Sequence, residues 1–260
     1  MRGDYMFELE RMTWQEADEA MKSADYVVVP VGSHEQHSHH LELQNDIGLT
    51  YEVAKKIVEK AKSSLRILVA PRVPYGLSEH HMHFPGTITL SPETFIGLIS
   101  DICSSLARHG ARNIVLLNGH GGNDHALWVA ATELQRKLSC NILVIDWWRF
   151  TRDLEAKEAR SEFWGHACEI ETSMAMYLLP ETVRTDRITR PFVRTPEISL
   201  KPKGYDERIQ PNPTKYFEDY TNTGSVGDPT KASKELGERL IETSVDRILY
   251  VLSKFLEKSK

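Results

Sequence analysis

"YVVVPVGSHEQHSHHLELQND" (residues 26–46) is the stretch that decides the fold. It opens with an apolar run, residues 26–32, and histidines and acids follow that run directly. A short run that is apolar throughout is typical of a strand in a parallel sheet covered by helices on both faces. The stretch therefore predicts a buried parallel strand that ends in a cluster of polar side chains.

Strands and helices alternate along the rest of the chain. Further strands of the same kind are predicted at residues 66–71, 113–119 and 141–148. Helical signals, either a 3.6-residue apolar period or a capping residue, cover residues 13–23, 47–62, 92–108, 123–138, 168–179 and 231–256. This alternation predicts an α/β protein: a three-layer α/β/α sandwich with a mostly parallel central sheet.

One segment departs from that alternation. Residues 180–230 are richer in Pro, Gly, Thr and charge than the rest. We interpret them as a loop-rich excursion, suited to a subunit contact, within a single domain that covers residues 1–260.

Composition limits the class of protein. The formal net charge of −5 and scattered Lys and Arg residues argue against a nucleic-acid or anionic-membrane partner. Three irregularly spaced cysteines form no disulfide framework and suit a reducing compartment. The chain shows no leader-like start and no apolar run of roughly 20 residues. We therefore expect a soluble cytoplasmic protein that acts on a small molecule.

Polar clusters follow the predicted strands at the points where those strands end. Glu35 and His37 follow the first strand, and two residues apart on an extended segment they point the same way. His120 follows the third strand within "NGHGGN", where glycines let the backbone approach a ligand closely. Asp46 opens the next helix, either as a simple cap or as a carboxylate that bridges two ions. Ligands bind at the carboxyl ends of parallel strands, so these side chains predict a metal site for Zn²⁺, Mn²⁺ or Fe²⁺.

Other histidines and acids have competing interpretations. We expect His39 and His40 to be solvated loop residues, and His80 with its neighbours to line a substrate pocket or the surface. In "FWGHACEIETSMAMYL", His166 and Glu169 share a face if the helix has begun there. Glu169 and Glu171 diverge on a helix, so only one of them faces the site, and either is also a common helix-start acid.

Five segments together resemble the creatininase (creatinine amidohydrolase) family and occur in the family's order. They are "VPVGSHEQHSHHLELQND", "YGLSEHHMHFPGTITL", "NGHGGN", "GHACEIETSMAMYLLPETVR" and "GSVGDPTKASKELGERL". The resemblance implies a creatininase-like three-layer fold, a binuclear metal site and a homo-oligomer, with a hexamer as one arrangement.

The resemblance also assigns ligands. Glu35, Asp46 and His120 would hold one ion, and His37 and Asp46 the second, with Asp46 bridging. Gly122 stands where creatininase has a glutamate ligand, so Glu169 is the expected replacement and Glu171 the fallback. The implied cofactors are two divalent metal ions, zinc first, with manganese or iron as alternatives.

Catalytic and substrate-binding residues follow from the same resemblance. His166 and Glu169 would be catalytic, with His166 handling the proton of the leaving group. Ser78, His80, Gly121 and Trp164 are expected to contact the substrate. In the implied reaction a metal-bridged water, its pKa lowered toward roughly 7, attacks a carbonyl carbon.

The expected reaction is cleavage of a C–N amide or cyclic amide bond in a polar small molecule. A 3-dehydro-scyllo-inosose-type ring hydrolase, a formylamino-pyrimidine deformylase and a non-catalytic metal-binding protein are the alternatives. Two departures from the family pattern weaken creatinine itself as the substrate. Residues 38–42 read Ser-His-His-Leu-Glu instead of Gly-Pro-His-Leu-Pro, and no clean aromatic box surrounds residues 162–164.

Overall fold

The computed structural model describes residues 7–61, 64–161, 164–193, 216–219 and 221–258. A four-stranded, fully parallel sheet lies at its centre, in the order β2-β1-β3-β4. The strands of this sheet are β1 (Tyr26–Val31), β2 (Ile67–Val69), β3 (Asn113–Asn118) and β4 (Asn141–Asp146). A short antiparallel pair, β5 (Trp164–His166) and β6 (Val226–Gly227), lies apart from it.

Helices cover both faces of the sheet. They are α1 (Trp14–Ser23), α2 (Asn45–Ala61), α3 (Pro92–Arg108), α4 (Asp124–Lys137), α5 (Arg152–Glu158), α6 (Glu169–Leu178) and α7 (Lys234–Lys258). Buried side chains of α2, α6 and α7 pack together on one face, and those of α1, α3 and α4 pack on the other. The predicted three-layer sandwich is confirmed.

Strand β1 shows why the sequence forms this architecture. All six of its residues are buried, and alternate side chains point to opposite faces of the sheet. Val28 joins the core formed with α2 and α7, whereas Val27 and Val29 join the core formed with α3 and α4. A strand with two buried faces must be apolar at every position, as the opening run is.

The register of the sheet brings the polar loops to one edge. Val31 at the end of β1 pairs with Asn118 at the end of β3, and Asn118 pairs with Asp146 at the end of β4. Gly119 follows at once and lies against the first turns of α2, where any larger side chain would collide with Thr50. Close approach of this loop to α2 therefore requires glycine, and it brings His120 toward Asp46.

Most predicted helix boundaries lie within two residues of the observed ones. The capping box of Thr13 and Glu16 is present, and Ser91 caps α3. The sequence analysis missed α5 and the β5–β6 pair because each is too short to show a period. Of the expected excursion at residues 180–230, residues 194–215 and 220 lie outside the described part of the chain. Within the described ranges, no helix has both the length and the apolar content to cross a membrane.

Candidate metal centre

Glu35 lies at the centre of the polar edge and is held at one of its two oxygens. Its side chain is buried, and Oε2 accepts hydrogen bonds from Ser33 Oγ (2.9 Å) and Ser78 Oγ (2.6 Å). The two hydroxyl groups also contact each other. Because Oε2 is occupied, Oε1 is the oxygen that faces the neighbouring histidines.

Backbone carbonyls orient two of those histidines. His37 Nδ1 donates to the carbonyl of Glu35 at 3.1 Å, and His120 Nε2 donates to the carbonyl of Leu77 at 3.0 Å. In a neutral imidazole the other nitrogen then carries a lone pair. His37 Nε2 and His120 Nδ1 are thereby turned inward as acceptors, which is how metal-binding histidines are usually fixed.

Asp46, in the first turn of α2, lies between these two histidines. Its Oδ1 is 2.9 Å from His37 Nε2, and its Oδ2 is 3.0 Å from His120 Nδ1. Glu35 Oε1 lies 3.2 Å from the same nitrogen of His120. Each oxygen of Asp46 therefore faces a different histidine, the arrangement that a bridging carboxylate needs.

Unpaired buried atoms show that these residues fit a metal ion. Glu35 Oε1, His37 Nε2 and Asp46 Oδ2 are buried, and none has a hydrogen-bond partner among the described residues. The separations of 2.9–3.2 Å are within ion-pair range but lack hydrogen-bond geometry. Buried unpaired polar atoms are costly, and imidazole nitrogens with carboxylate oxygens are donors suited to zinc, manganese or iron.

A second group of donors adjoins the first. Ligand atoms of His37, His166 and Glu171 lie within 4.8 Å of one another, as do those of Glu35, Asp46 and His120. Glu171 Oε2 is 3.9 Å from His37 Nε2 and accepts a hydrogen bond from the backbone N–H of Ala167 at 2.5 Å. The two donor groups are therefore neighbours, and the contact of 2.9 Å between His37 Nε2 and Asp46 Oδ1 joins them.

The structure corrects the expectation for Glu169. Its buried carboxylate accepts hydrogen bonds from the backbone N–H groups of Arg160 (2.9 Å and 3.0 Å) and Ser161 (2.7 Å). Residues two apart diverge on a helix, and α6 begins at Glu169, so it is Glu171 that faces His37. Glu169 anchors the chain after α5, and it neither approaches the donor groups nor has a free oxygen for chemistry there.

His166 lies at the end of β5 with one nitrogen free. Its Nε2 donates to the carbonyl of Gln36 at 2.7 Å, so Nδ1 carries the lone pair and lies 3.8 Å from Glu35 Oε1. The His166 and His37 rings are 4.4 Å apart. Burial, together with the nearby charge of His37, lowers the pKa of His166 to about 3, so the ring is neutral at pH 7.

Three carboxylates shift the pKa values of the groups around them. Burial alone would lower the pKa of His37, but Asp46, Glu171 and Glu35 outweigh it and raise that pKa to about 9. Burial, with the charges of Asp46 and Glu35, raises the pKa of Glu171 to about 7. Acids crowded in this way attract cations.

The four expected substrate contacts lie in different places. Ser78 is buried and engaged with Glu35, so it orients that carboxylate. His80 is half-buried and stacks on His120, with ring centres 5.7 Å apart and an interplanar angle of 13°. Gly121 is exposed, with open space beside its Cα, whereas Trp164 is half-buried against the core. His80 and Gly121 thus border the accessible side of His120.

Sequence reasoning misplaced one histidine and missed two residues near the cluster. His39 is exposed, as expected, but His40 is buried and its Nε2 lies 2.8 Å from Thr172 Oγ1 on α6. The missed residues are Gln36, which is buried beside Glu35, and Phe217, which packs on the His81 ring at 4.0 Å. His81, expected to line a substrate pocket or the surface, is buried. The position of Gln36 between two predicted ligands was the one available signal.

A groove of about 810 Å³ lies away from this cluster. His34, His39, Arg72 and Arg184 are among its lining residues, and none of the donor groups lines it. The groove and the donor cluster are therefore separate features of the described surface.

The chain is similar to known proteins over most of its length. The family model described as creatinine amidohydrolase matches residues 10–252. Creatinine amidohydrolase of Pseudomonas putida is 30% identical over 256 residues, which cover 91% of this chain and 92% of that protein. Mycofactocin precursor peptide peptidase of Mycolicibacterium smegmatis is 30% identical over 228 residues, 85% of this chain and 81% of that protein.

Solved structures of creatininases also match this chain over nearly its whole length. A mutant creatininase described as the Zn-Zn type matches with a TM-score of 0.79 and 28% identity, covering 97% of this chain and 99% of that chain. The similarity therefore extends over nearly the whole fold, including the elements that carry the donor cluster.

Proposed function

This chain belongs to the creatininase family, and from that premise we propose that it is a metal-dependent hydrolase of a C–N amide or cyclic amide bond in a polar small molecule. One observation carries the proposal: Glu35 Oε1, His37 Nε2 and Asp46 Oδ2 are buried, close together and without hydrogen-bond partners among the described residues. A protein that used these groups only for stability would pair them with hydrogen-bond donors.

Two cations would be held by the two donor groups. Glu35, Asp46 and His120 would bind one. His37 and Glu171 of the second group would bind the other, with Asp46, whose Oδ1 lies 2.9 Å from His37 Nε2, as the shared carboxylate. Zinc is expected first, with manganese or iron as alternatives. When bound, such ions supply an activated water and polarise the carbonyl under attack. Glu171 takes the place that the sequence analysis gave to Glu169.

His166 is the residue suited to move the proton. Its Nδ1 faces the cluster, and its ring is neutral at pH 7. The attacking water can therefore lose its proton to Nδ1 as the new C–O bond forms. The same atom then gives that proton to the nitrogen that leaves when the C–N bond breaks. The hydrogen bond from Nε2 to the Gln36 carbonyl holds the ring in place through both transfers.

The reacting carbonyl would lie on the accessible side of His120. His80 forms one wall there, and the open space beside Gly121 leaves room for a substrate. These neighbours are polar or small, which favours a polar substrate over an apolar one.

The direct test is elemental analysis of protein purified without chelators, with His120→Ala as the variant. Wild type is expected to carry divalent cations and the variant to lose them together with hydrolysis. His109→Ala is the matched control, because His109 is exposed at the end of α3 and lies outside the cluster. A His120→Ala protein that is both metal-replete and active would overturn the proposal.

A panel of substrates then distinguishes the possible reactions. Cyclic amides, a formylamino-pyrimidine, short peptides and a dehydro-inosose are incubated with the loaded enzyme, and released ammonia, formate, amine or ring-opened acid is measured. Release from the amides supports the proposal. Release only from the dehydro-inosose would make the chain a ring hydrolase instead.

A further inference from the structure

Gln36, between Glu35 and His37, connects three parts of the structure: its own loop and the segments that contain His81 and Gly224. Its side-chain Oε1 accepts a hydrogen bond from the backbone N–H of Ser38 at 2.8 Å, and its Nε2 donates to the carbonyl of Gly224 at 3.1 Å. The same Nε2 lies 2.8 Å from His81 Nδ1. The residue is 4% exposed, so these contacts are the hydrogen-bonding environment of its side chain.

The two backbone contacts determine which way the amide points. If the amide were rotated by half a turn, its oxygen would face the carbonyl of Gly224 and its NH₂ group would face the N–H of Ser38. Both contacts would then be repulsive, so the observed orientation is the stable one. The second N–H of Gln36 is therefore directed at His81.

This direction decides where the proton of His81 lies. Nδ1 accepts the hydrogen bond from Gln36, so it carries no proton, and the ring of His81 is neutral with its proton on Nε2. The nitrogen that carries this proton lies 3.2 Å from Glu35 Oε1, within ion-pair range but without hydrogen-bond geometry. His37 Nε2 and His120 Nδ1 would present lone pairs to a bound cation, and His166 Nδ1 carries one, whereas His81 presents a donor.

We propose that His81 faces Glu35 Oε1 with a protonated Nε2, positions that carboxylate by electrostatic attraction and does not bind a cation, and that Gln36 sets the tautomer responsible. The proposal rests on the proposed function for the cation at Glu35, but the tautomer itself depends only on Gln36.

Judged by distance alone, His81 would be a ligand of a cation. Glu35, His81 and His166 have ligand atoms within 4.8 Å of one another, close enough for a third cation. A nitrogen that carries a proton has no lone pair for a metal. The trio therefore holds no cation, and His81 acts on Glu35: the two serine hydroxyls fix Oε2, and the protonated Nε2 of His81 faces Oε1 at 3.2 Å.

The tautomer is measured directly by nitrogen NMR of protein with isotope-labelled histidine. The His81 signals are those that disappear in His81→Gln. In the cation-free protein and after zinc loading, Nε2 is expected to be the protonated nitrogen. After loading with an NMR-active cadmium isotope, coupling is expected to His37 Nε2 and His120 Nδ1 but not to His81. An unprotonated Nε2, or cadmium coupling to His81, overturns the proposal.

Two variants test the positioning role by zinc affinity, measured by competition with a chelating dye. Gln places an N–H close to the position of Nε2, so His81→Gln is expected to keep zinc affinity within about threefold of wild type. His81→Leu has no donor and is expected to lose about 10- to 100-fold, the usual effect of losing a partner that orients a ligand. Equal losses in both variants, or no loss in either, would contradict a positioning role.

The two hypotheses fail in different ways. If wild type binds neither zinc nor cadmium, the proposed function fails, while the ring spectrum of the cation-free protein still decides the tautomer. If cations bind and His81 is among the ligands, the proposed function stands and this inference fails.

Discussion

At the scale of single residues, α6 presents two acids with opposite roles. Glu171 lies beside His37, whereas Glu169 accepts backbone hydrogen bonds from Arg160 and Ser161. Their spacing showed that only one could face the cluster. The choice depends on where α6 begins, and that depends on Ala167, whose φ of +46° turns the chain just before the helix. Such a turn has no signature in the sequence when the residue is alanine.

The variants Glu171→Gln and Glu169→Gln form a matched pair. Glu171→Gln is expected to lower the metal content toward one ion per chain with little change in the free energy of unfolding. Glu169→Gln is expected to keep its cations but to lose about 1.5–3 kcal/mol of stability, because a neutral amide accepts hydrogen bonds less strongly than a carboxylate. Elemental analysis and denaturant unfolding measure the two effects, and the reverse pattern would restore Glu169 as the ligand.

Cation binding should also depend on pH in a definite direction. In the cation-free protein the pKa of His37 is raised to about 9 and that of Glu171 to about 7. Both groups therefore hold protons that a cation must displace below those values. The apparent zinc affinity is expected to rise from pH 6 to pH 9, with proton release at binding. Calorimetric titration in buffers of different ionisation enthalpy counts the protons, and an affinity independent of pH would contradict this prediction.

At the scale of elements, the sequence predicted what depends on local pattern. The apolar run of β1 and the caps at Thr13 and Ser91 act within a few residues, and they appear as expected. The contact of Gln36 with Gly224 joins positions 188 residues apart in the chain. A Cβ at Gly224 would collide with the Gln36 amide, and its φ is +88°. No local pattern predicts such a pairing, so the hydrogen bonds around His81 could not be predicted from the sequence.

The crossing of α6 and α7 depends on another glycine. A Cβ at Gly237 of α7 would collide with the carbonyl of Ser173 on α6, whereas a Cβ at Gly97 of α3 would meet no atom within 4 Å. Gly237→Ala is expected to cost about 1–3 kcal/mol by overpacking. Gly97→Ala is expected to stabilise the protein by about 0.5–1 kcal/mol through higher helix propensity. Denaturant unfolding compares them, and equal effects would show that the crossing adjusts without cost.

At the scale of the whole molecule, the cluster joins segments that are far apart in the chain. Its residues come from the end of β1, the start of α2, the loop after β3, strand β5 and helix α6. Without cations, carboxylates and unpaired nitrogens face one another in a buried volume. A cation that binds only the folded chain therefore ties these segments together and favours the native state.

Chelation should consequently lower the thermal midpoint of unfolding. Free cation at 100 times its Kd stabilises a protein by about 2.7 kcal/mol. For a chain of this length each kcal/mol is worth roughly 2–4 °C, so chelation is expected to lower the Tm by roughly 5–11 °C. His120→Ala is the control, since a chain that holds no cation has nothing to lose to a chelator. Scanning calorimetry with and without chelator makes the comparison, and an equal decrease in wild type and His120→Ala would show that the chelator acts elsewhere.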